Sequence, residues 1–226
     1  MTDALIVDVI AYREWARRLT AQAQWTRSSA VEPRVLFHVH DRWEDRCQIV
    51  PPIATFLVGW SDIIPAAEIP DRCYVLHPSM LPEYRGGSPI QHQIIDGLDA
   101  GGITIFRLER GRAVDGGPII WQEALSLAGS LSNILTRITV QGARGVAVIV
   151  DQLARGNEPA EREQDEAAAT YRRRRTPEMS EITRDDLTML TARQLHDRIR
   201  ALADPYPPAF IRGADGEPVY LMGSYL

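Results

Sequence analysis

The chain has 226 residues, of which 45% are hydrophobic and 24% are charged, as is typical of soluble globular proteins. Its formal net charge of −5 argues against a domain that grips nucleic-acid phosphates, so we expect no nucleic-acid partner. No apolar run approaches the ~20 residues needed to cross a bilayer, and the N-terminus has no export signal. We therefore expect a cytoplasmic protein without a membrane partner, in which Cys47 and Cys73 are reduced thiols.

The first third of the chain alternates between short apolar runs and helix-length connections. This pattern predicts an α/β fold with a mainly parallel, Rossmann-like sheet and flanking helices. A helix is expected at 13–23, where Trp15 and Leu19 lie among charged residues. No GxGxxG follows the first strand, so the standard dinucleotide fingerprint is missing. The predicted strands are 4–10, 34–40, 54–59 and 74–76.

A short helix is predicted at 89–96, with Ser88 as its N-cap and Gly97 just beyond its end. Strands are expected at 103–108 and 118–122. A long helix then begins after Ser130 and runs to Gly156, and we expect two glycines, Gly142 and Gly145, to weaken its middle.

The polar, acidic segment 157–170 predicts the boundary between a catalytic domain (1–160) and a small C-terminal α+β appendage (161–226). The appendage should contain a helix at 191–203 and a hairpin around Asp215-Gly216. The arginine run 172–175 could bind the phosphates of a nucleotide-linked acceptor, but a solvated face balanced by the acidic segment is the interpretation we favour.

The residues most suggestive of chemistry are His77, at the end of a predicted strand, and Asp115, in a glycine-containing loop. Histidine accepts protons near neutral pH, and a carboxylate beside it can fix its tautomer and stabilise the imidazolium. The carboxyl ends of parallel strands are also where α/β sheets bind ligands. We therefore predict that both residues are catalytic. No set of histidine, cysteine and carboxylate residues has zinc-ligand spacing, so we infer no metal.

Four local patterns together resemble the folate-dependent formyltransferase family, including its tRNA and nucleotide-sugar branches. They are His77-Pro-Ser-Met-Leu-Pro-Glu-Tyr-Arg-Gly86, Ser88-Pro-Ile90, Gly102-Ile-Thr104 and Val114-Asp-Gly-Gly117. The likeness runs from about residue 56 to residue 122 and is weaker at 173–177 and 199–207.

The resemblance implies a formyltransferase fold and transfer of a formyl group from 10-formyltetrahydrofolate to an amine. In that reaction His77 would manage the proton and Asp115 would orient it. The cofactor would lie between two segments whose residues are Trp60, Ser61, Asp62, Ile63, Ile64 and Arg112, Ala113, Val114. Ordinary core packing is an equal alternative for the two isoleucines. The acceptor would bind at Ser79, Tyr84, Arg85, Gly86, Gln91 and His92.

One position departs from the family pattern. Relatives carry an asparagine two residues before the histidine, where its amide donates to the oxyanion, but this chain has Val75. Loss of one such donor costs about 100- to 1000-fold in rate. Another side chain could donate instead, for which the nearby candidates are Ser79, Gln91, His92 and Thr104, or a backbone N–H could do so. His92 also has the simpler interpretation of a polar residue on an exposed helix face.

We expect the acceptor to be a small-molecule amine, with a nucleotide-linked amino sugar first and a natural-product amine close behind. Two alternatives stay open: a hydrolase of the same fold that releases formate, and a catalytically silent folate-binding module, which Val75 would favour. A tRNA acceptor is the least favoured member of the family. A homodimer is also an open alternative.

Overall fold

The computed structural model of the chain describes residues 4–27, 34–46 and 50–225. Its helices are α1 (Glu14–Arg27), α2 (Pro89–Ile95), α3 (Leu131–Ala154), α4 (Arg184–Met189) and α5 (Ala192–Ala201). Its strands are β1 (Leu5–Ile10), β2 (Val35–His40), β3 (Ala54–Val58), β4 (Cys73–His77), β5 (Arg85–Gly86), β6 (Ala100–Arg107), β7 (Ile119–Ser126), β8 (Tyr171–Arg172), β9 (Ala209–Arg212) and β10 (Pro218–Leu221).

Six strands form the central sheet in the order β2-β1-β3-β4-β6-β7. The first four strands are parallel to one another, whereas β6 runs antiparallel to both β4 and β7. β3 is buried along its whole length because both faces of the sheet are covered, which explains its continuous apolar sequence. The prediction of a mainly parallel α/β sheet is confirmed.

One face of the sheet packs against α1 and α3. Ile138 of α3 and Leu19 of α1 are both fully buried in this core. A Cβ at Gly142 would lie 2.6 Å from Leu19, and one at Gly145 would lie 2.6 Å from the Trp121 ring. The helix is continuous through both positions. The expectation that these glycines weaken the helix is therefore wrong, because their missing side chains let α3 lie close to α1 and the sheet.

The opposite face carries a smaller apolar cluster that includes Ile10, Leu57, Ile64 and Cys73. Burial raises the pKa of the Cys73 thiol to about 12, so this free cysteine stays protonated at neutral pH. The second cysteine, Cys47, lies outside the described residues.

The acidic segment that follows α3 is attached to the central domain by ion pairs. Each of its four glutamates contacts an arginine from the preceding part of the chain: Glu158 with Arg72, Glu161 with Arg107, Glu163 with Arg112 and Glu166 with Arg85. The prediction that this segment balances the arginine run 172–175 is therefore wrong, since its carboxylates are used elsewhere. The domain boundary at residue 160 stays a prediction.

The C-terminal region returns to the domain through β8, which pairs in parallel with β5. The predicted helix 191–203 is confirmed as α5, whose N-cap Thr191 forms a capping box with Gln194. The predicted hairpin is also confirmed, because β9 and β10 pair in antiparallel fashion around Asp215 and Gly216. No helix within the described residues is long and apolar enough to cross a membrane.

The start of α2 differs from the prediction. Ser88 does precede Pro89 and the helix, but it has a φ of 54° and its side chain makes no capping bond. Its Oγ instead accepts a hydrogen bond from the Arg175 N–H at 3.1 Å. A contact with the C-terminal region has thus replaced the local cap.

Candidate active site

His77 and Asp115 meet at the carboxyl end of β4. The imidazole Nδ1 lies 3.5 Å from the Asp115 Oδ2, and the side chains are 7% and 17% exposed. The predicted convergence of these two residues is thus present. Such a pair can exchange a proton with a substrate while the carboxylate stabilises the charge on the ring.

The loop 84–86 orients both members of the pair. The Nε2 of His77 lies 2.9 Å from the Tyr84 carbonyl oxygen, which can only accept, so Nε2 carries a proton. Nδ1 is therefore the atom that faces Asp115. The Asp115 Oδ2 also accepts the backbone N–H of Gly86 at 2.7 Å, which fixes the carboxylate beside the ring.

Non-glycine residues in the left-handed backbone region cluster around this pair. Tyr84, Ser88 and Asp115 have φ values of 58°, 54° and 53°. Such conformations are costly and persist where surrounding contacts enforce them, often at functional sites. Here they turn the Tyr84 carbonyl toward His77 and the Asp115 carboxylate toward the Gly86 N–H.

A cavity of about 540 Å³ opens beside the pair. This volume lies within the range of about 300–1,000 Å³ that is usual for small-molecule sites. All the residues predicted to hold the cofactor line it, namely Trp60, Ser61, Asp62, Ile63, Ile64, Arg112, Ala113 and Val114. The two segments that carry them are far apart in sequence, and the fold brings them to one cavity.

The two isoleucines of the first wall have different environments. Ile64 is 8% exposed and belongs to the apolar cluster under the sheet, so core packing describes it well. Ile63 is 94% exposed at the cavity wall, and Val114 on the other wall is 60% exposed. Exposed aliphatic side chains on both walls can contact the faces of a flat ring. In the first wall, the Trp60 indole N–H donates to the Asp62 carbonyl oxygen and holds this segment in a turn.

Of the residues predicted to bind the acceptor, Gly86 and Gln91 line the cavity, whereas Ser79, Tyr84, Arg85 and His92 do not. Ser79 is fully buried and its hydroxyl donates to the Glu83 carbonyl oxygen. The Tyr84 hydroxyl donates to Asp96. Burial lowers the pKa of His92, and its Nε2 donates to the Arg173 carbonyl oxygen. Internal hydrogen bonds thus occupy the polar groups of these three residues.

Arg85 also differs from the prediction, because its guanidinium is fully buried and fully used. All five of its N–H donors are directed at three neighbours: Gln164, Glu166 and the Tyr171 hydroxyl. The hydrogen bonds from Arg85 lower the pKa of the Glu166 carboxyl. No donor is left for a substrate, so we infer a structural role in which Arg85 joins the motif loop to the C-terminal region.

Several cavity residues lie outside the motifs that the sequence singled out. Arg13 and Tyr206 line the cavity, and the Arg13 guanidinium lies 5.1 Å from the centre of the Tyr206 ring. Arg174, from the arginine run, lines it as well. Within the described part of the chain, neither Arg13 nor Arg174 has a carboxylate partner. Arg174 belongs to the arginine run 172–175, whereas Arg13 belongs to no motif of the sequence.

No group of three or more histidine, cysteine, aspartate or glutamate side chains in the described residues could hold a metal ion. The site is therefore built from one histidine–aspartate pair, a cavity with apolar and cationic walls, and a parallel sheet whose carboxyl ends support both. These features define an α/β protein with a small-molecule site of the proton-transfer type.

The chain belongs to the formyltransferase family, since the family model described as formyl transferase matches residues 41–145. A methionyl-tRNA formyltransferase from Syntrophomonas wolfei is 35% identical over 167 residues, which cover 70% of this chain and 50% of that protein. The chain thus spans about half the length of the curated relatives it matches.

Solved structures share the fold over nearly the whole chain. A methionyl-tRNA formyltransferase from Clostridium thermocellum superimposes with a TM-score of 0.74 at 23% identity, covering 96% of this chain and 97% of that one. A sugar N-formyltransferase from Shewanella sp. superimposes with a TM-score of 0.70 at 17% identity, covering 98% of each chain. The C-terminal region is therefore included in the shared fold.

Proposed function

We propose that this protein transfers a formyl group from 10-formyltetrahydrofolate to the amine of a small-molecule acceptor. The observation that carries the proposal is the contact between His77 and Asp115 at 3.5 Å, at the wall of a cavity of about 540 Å³. The family membership supplies the reaction class, and the geometry supports the roles of the two residues.

The residues of the cavity fit a reduced folate. Its pteridine ring is flat, and the exposed Ile63 and Val114, which belong to the two segments that line the cavity, can contact the faces of such a ring. Main-chain groups between Trp60 and Ile64 can hydrogen-bond to the ring edge. When bound, the cofactor supplies an activated formyl group, and the walls orient that group toward His77.

His77 would take up the proton that the attacking amine must lose. Its Nε2–H is held by the Tyr84 carbonyl oxygen, so the proton arrives at Nδ1. Asp115 faces Nδ1 and stabilises the resulting imidazolium, while the Gly86 N–H keeps the carboxylate in place. The burial of the pair limits competing hydrogen bonds from water.

The cationic wall of the cavity supports an acceptor that carries negative charge. Arg13 and Arg174 both line the cavity without a carboxylate partner among the described residues. Guanidinium groups bind phosphate well, so a nucleotide-linked amino sugar is our first choice of acceptor. The relatives named methionyl-tRNA formyltransferases make methionyl-tRNA the second acceptor to test.

The test is incubation with 10-formyltetrahydrofolate and a panel of nucleotide-linked amino sugars, free amines and methionyl-tRNA, followed by mass spectrometry of each acceptor. We expect one sugar acceptor to gain the mass of one formyl group, with His77→Ala losing at least 100-fold in turnover while folate affinity is largely kept. Formate release without an amine would instead indicate a hydrolase. Folate binding without any turnover would indicate a binding module, and either result contradicts the proposal.

A further inference from the structure

The position that departs from the family pattern lies on the cavity wall next to the catalytic pair. Val75 lines the cavity together with His77 and packs against the apolar cluster that includes Leu57 and Cys73. Valine has no hydrogen-bond donor. Acyl transfer places negative charge on the carbonyl oxygen, and sites for this reaction normally provide a donor there. Under the proposed function, the donor is therefore a different side chain or a backbone N–H.

Three of the four nearby side chains that could donate to the oxyanion already donate hydrogen bonds to backbone carbonyl oxygens. The Ser79 hydroxyl donates to the Glu83 carbonyl oxygen, and the Thr104 hydroxyl donates to the Ser79 carbonyl oxygen at 2.7 Å. The His92 Nε2 donates to the Arg173 carbonyl oxygen. None of these three residues lines the cavity. Of the four nearby side chains, Gln91 is the one that remains.

Gln91 is a nearly buried residue at the cavity wall. It lies in the first turn of α2, is 4% exposed and lines the same cavity as Val75 and His77. Its side chain makes no hydrogen bond to any residue that the structure describes. The contrast is Gln93 on the same helix, which is also buried but whose amide donates to the Pro78 and Pro89 carbonyl oxygens. The Gln91 amide atoms do not belong to the fully buried, unpartnered polar atoms of the described residues, so a ligand in the cavity can reach them.

We propose that the Gln91 side-chain amide is the donor to the formyl oxygen, in the role that the family assigns to the asparagine replaced by Val75. This inference rests on the proposed function. Gln91 belongs to helix α2, whereas Val75 at the family position belongs to strand β4, so the donor comes from a different element of the fold. Gln91 is then a catalytic residue, since it contacts the reacting group.

The first test is kinetic. Gln91→Ala should lower kcat about 100-fold, the usual loss of one such donor, with little change in KM for the acceptor. Adding Val75→Asn to Gln91→Ala should recover at least tenfold, because an amide returns to the family position. Gln152→Ala, the same chemical change on α3 away from the cavity, is the control for expression and folding.

The second test does not depend on turnover. The carbonyl stretch of a ¹³C-formyl group in a stable 5,8-dideaza analogue of the cofactor can be measured by difference infrared spectroscopy on the bound complex. A hydrogen bond lowers this frequency. We expect the band to shift to higher frequency in Gln91→Ala and to return in the double variant.

The outcomes separate this inference from the proposed function. An unchanged carbonyl band in Gln91→Ala would overturn the inference, and so would a loss confined to KM for the acceptor, which would make Gln91 an acceptor-binding residue. In both cases the wild-type protein still transfers the formyl group. If the wild-type protein neither binds the analogue nor formylates any acceptor, the proposed function itself fails.

Discussion

Replacing Asp115 by asparagine removes one charge and little else. The side chains have nearly the same shape, and the amide oxygen of asparagine can still accept the Gly86 N–H that now binds Asp115 at 2.7 Å. The loop should therefore keep its conformation. What changes is the environment of His77, whose Nδ1 would face a neutral amide instead of a carboxylate.

The size of the effect follows from the separation of the two groups. Opposite unit charges 3.5 Å apart attract by about 5 kcal/mol at an effective dielectric constant of about 20. The Asp115 side chain is 17% exposed, so solvent and the remaining amide dipole recover part of this energy. We take about 3 kcal/mol as the net loss, which corresponds to roughly 100-fold in rate.

The assay is steady-state formyl transfer to the acceptor found in the screen, with thermal unfolding measured in parallel. We expect kcat to fall about 100-fold while KM for the cofactor and the melting temperature change little. A kcat within threefold of the wild-type value, at an unchanged melting temperature, would show that Asp115 does not stabilise a charge on His77. The reasoning about the pair would then be refuted.

Further predictions concern the scaffold. Gly145→Ala should lower the free energy of unfolding by about 1–2 kcal/mol in chemical denaturation, because overlap with the Trp121 ring outweighs the gain in helix propensity. Asp197→Asn should cost about 2 kcal/mol at neutral pH, since hydrogen bonds from two arginines overcome the effect of burial and lower the pKa of this carboxyl. That stability is present above the unfolded pKa of about 3.9 and is lost as the pH falls through the lower folded value, so the variant and wild type should converge in acid. In a Cys47→Ser background, Cys73 should not react with iodoacetamide at pH 8 until the protein unfolds, because its pKa is raised to about 12.

Each of these measurements has a direct control or a contradicting result. Val140→Ala, on the exposed face of the same helix, should change stability by less than about 0.5 kcal/mol. A stabilising Gly145→Ala would mean that the Trp121 ring moves aside freely. A constant difference between Asp197→Asn and wild type down to pH 2 would exclude the carboxylate as its origin, and fast alkylation of the folded protein would show that Cys73 is accessible.

The sheet and the contact between His77 and Asp115 were predictable because they follow from local patterns. Apolar runs of strand length specify buried strands, and the carboxyl ends of neighbouring strands lie at one edge of a sheet, which is why His77 and Asp115 could be expected to meet. The residues of the two cavity walls were predicted from the resemblance to a family and not from hydrophobic periodicity.

The errors share one physical cause, which is pairing between residues far apart in sequence. Arg85 lies in the motif and carries a guanidinium, as a substrate-binding residue would. Only the fold shows that Gln164 and Glu166 accept its hydrogen bonds. Ser88 has a typical N-cap sequence, but the Arg175 N–H takes its hydroxyl. Gly142 would weaken an isolated helix. In the core, however, the lack of a side chain at Gly142 leaves room for Leu19 of α1. Single-sequence patterns contain no information about such partners.

The short ladder between β5 and β8 also sets an order of events during synthesis. Gly86 lies against the Arg172 backbone so closely that a Cβ would be 2.4 Å from its carbonyl oxygen, and the Tyr84 N–H donates to the Thr170 hydroxyl. The loop that aims the imidazole is therefore finished by residues translated long after the sheet. A nascent chain that has emerged only as far as α3 lacks β8, so the loop that holds His77 and Asp115 can be completed only after residues 170–172 have left the ribosome.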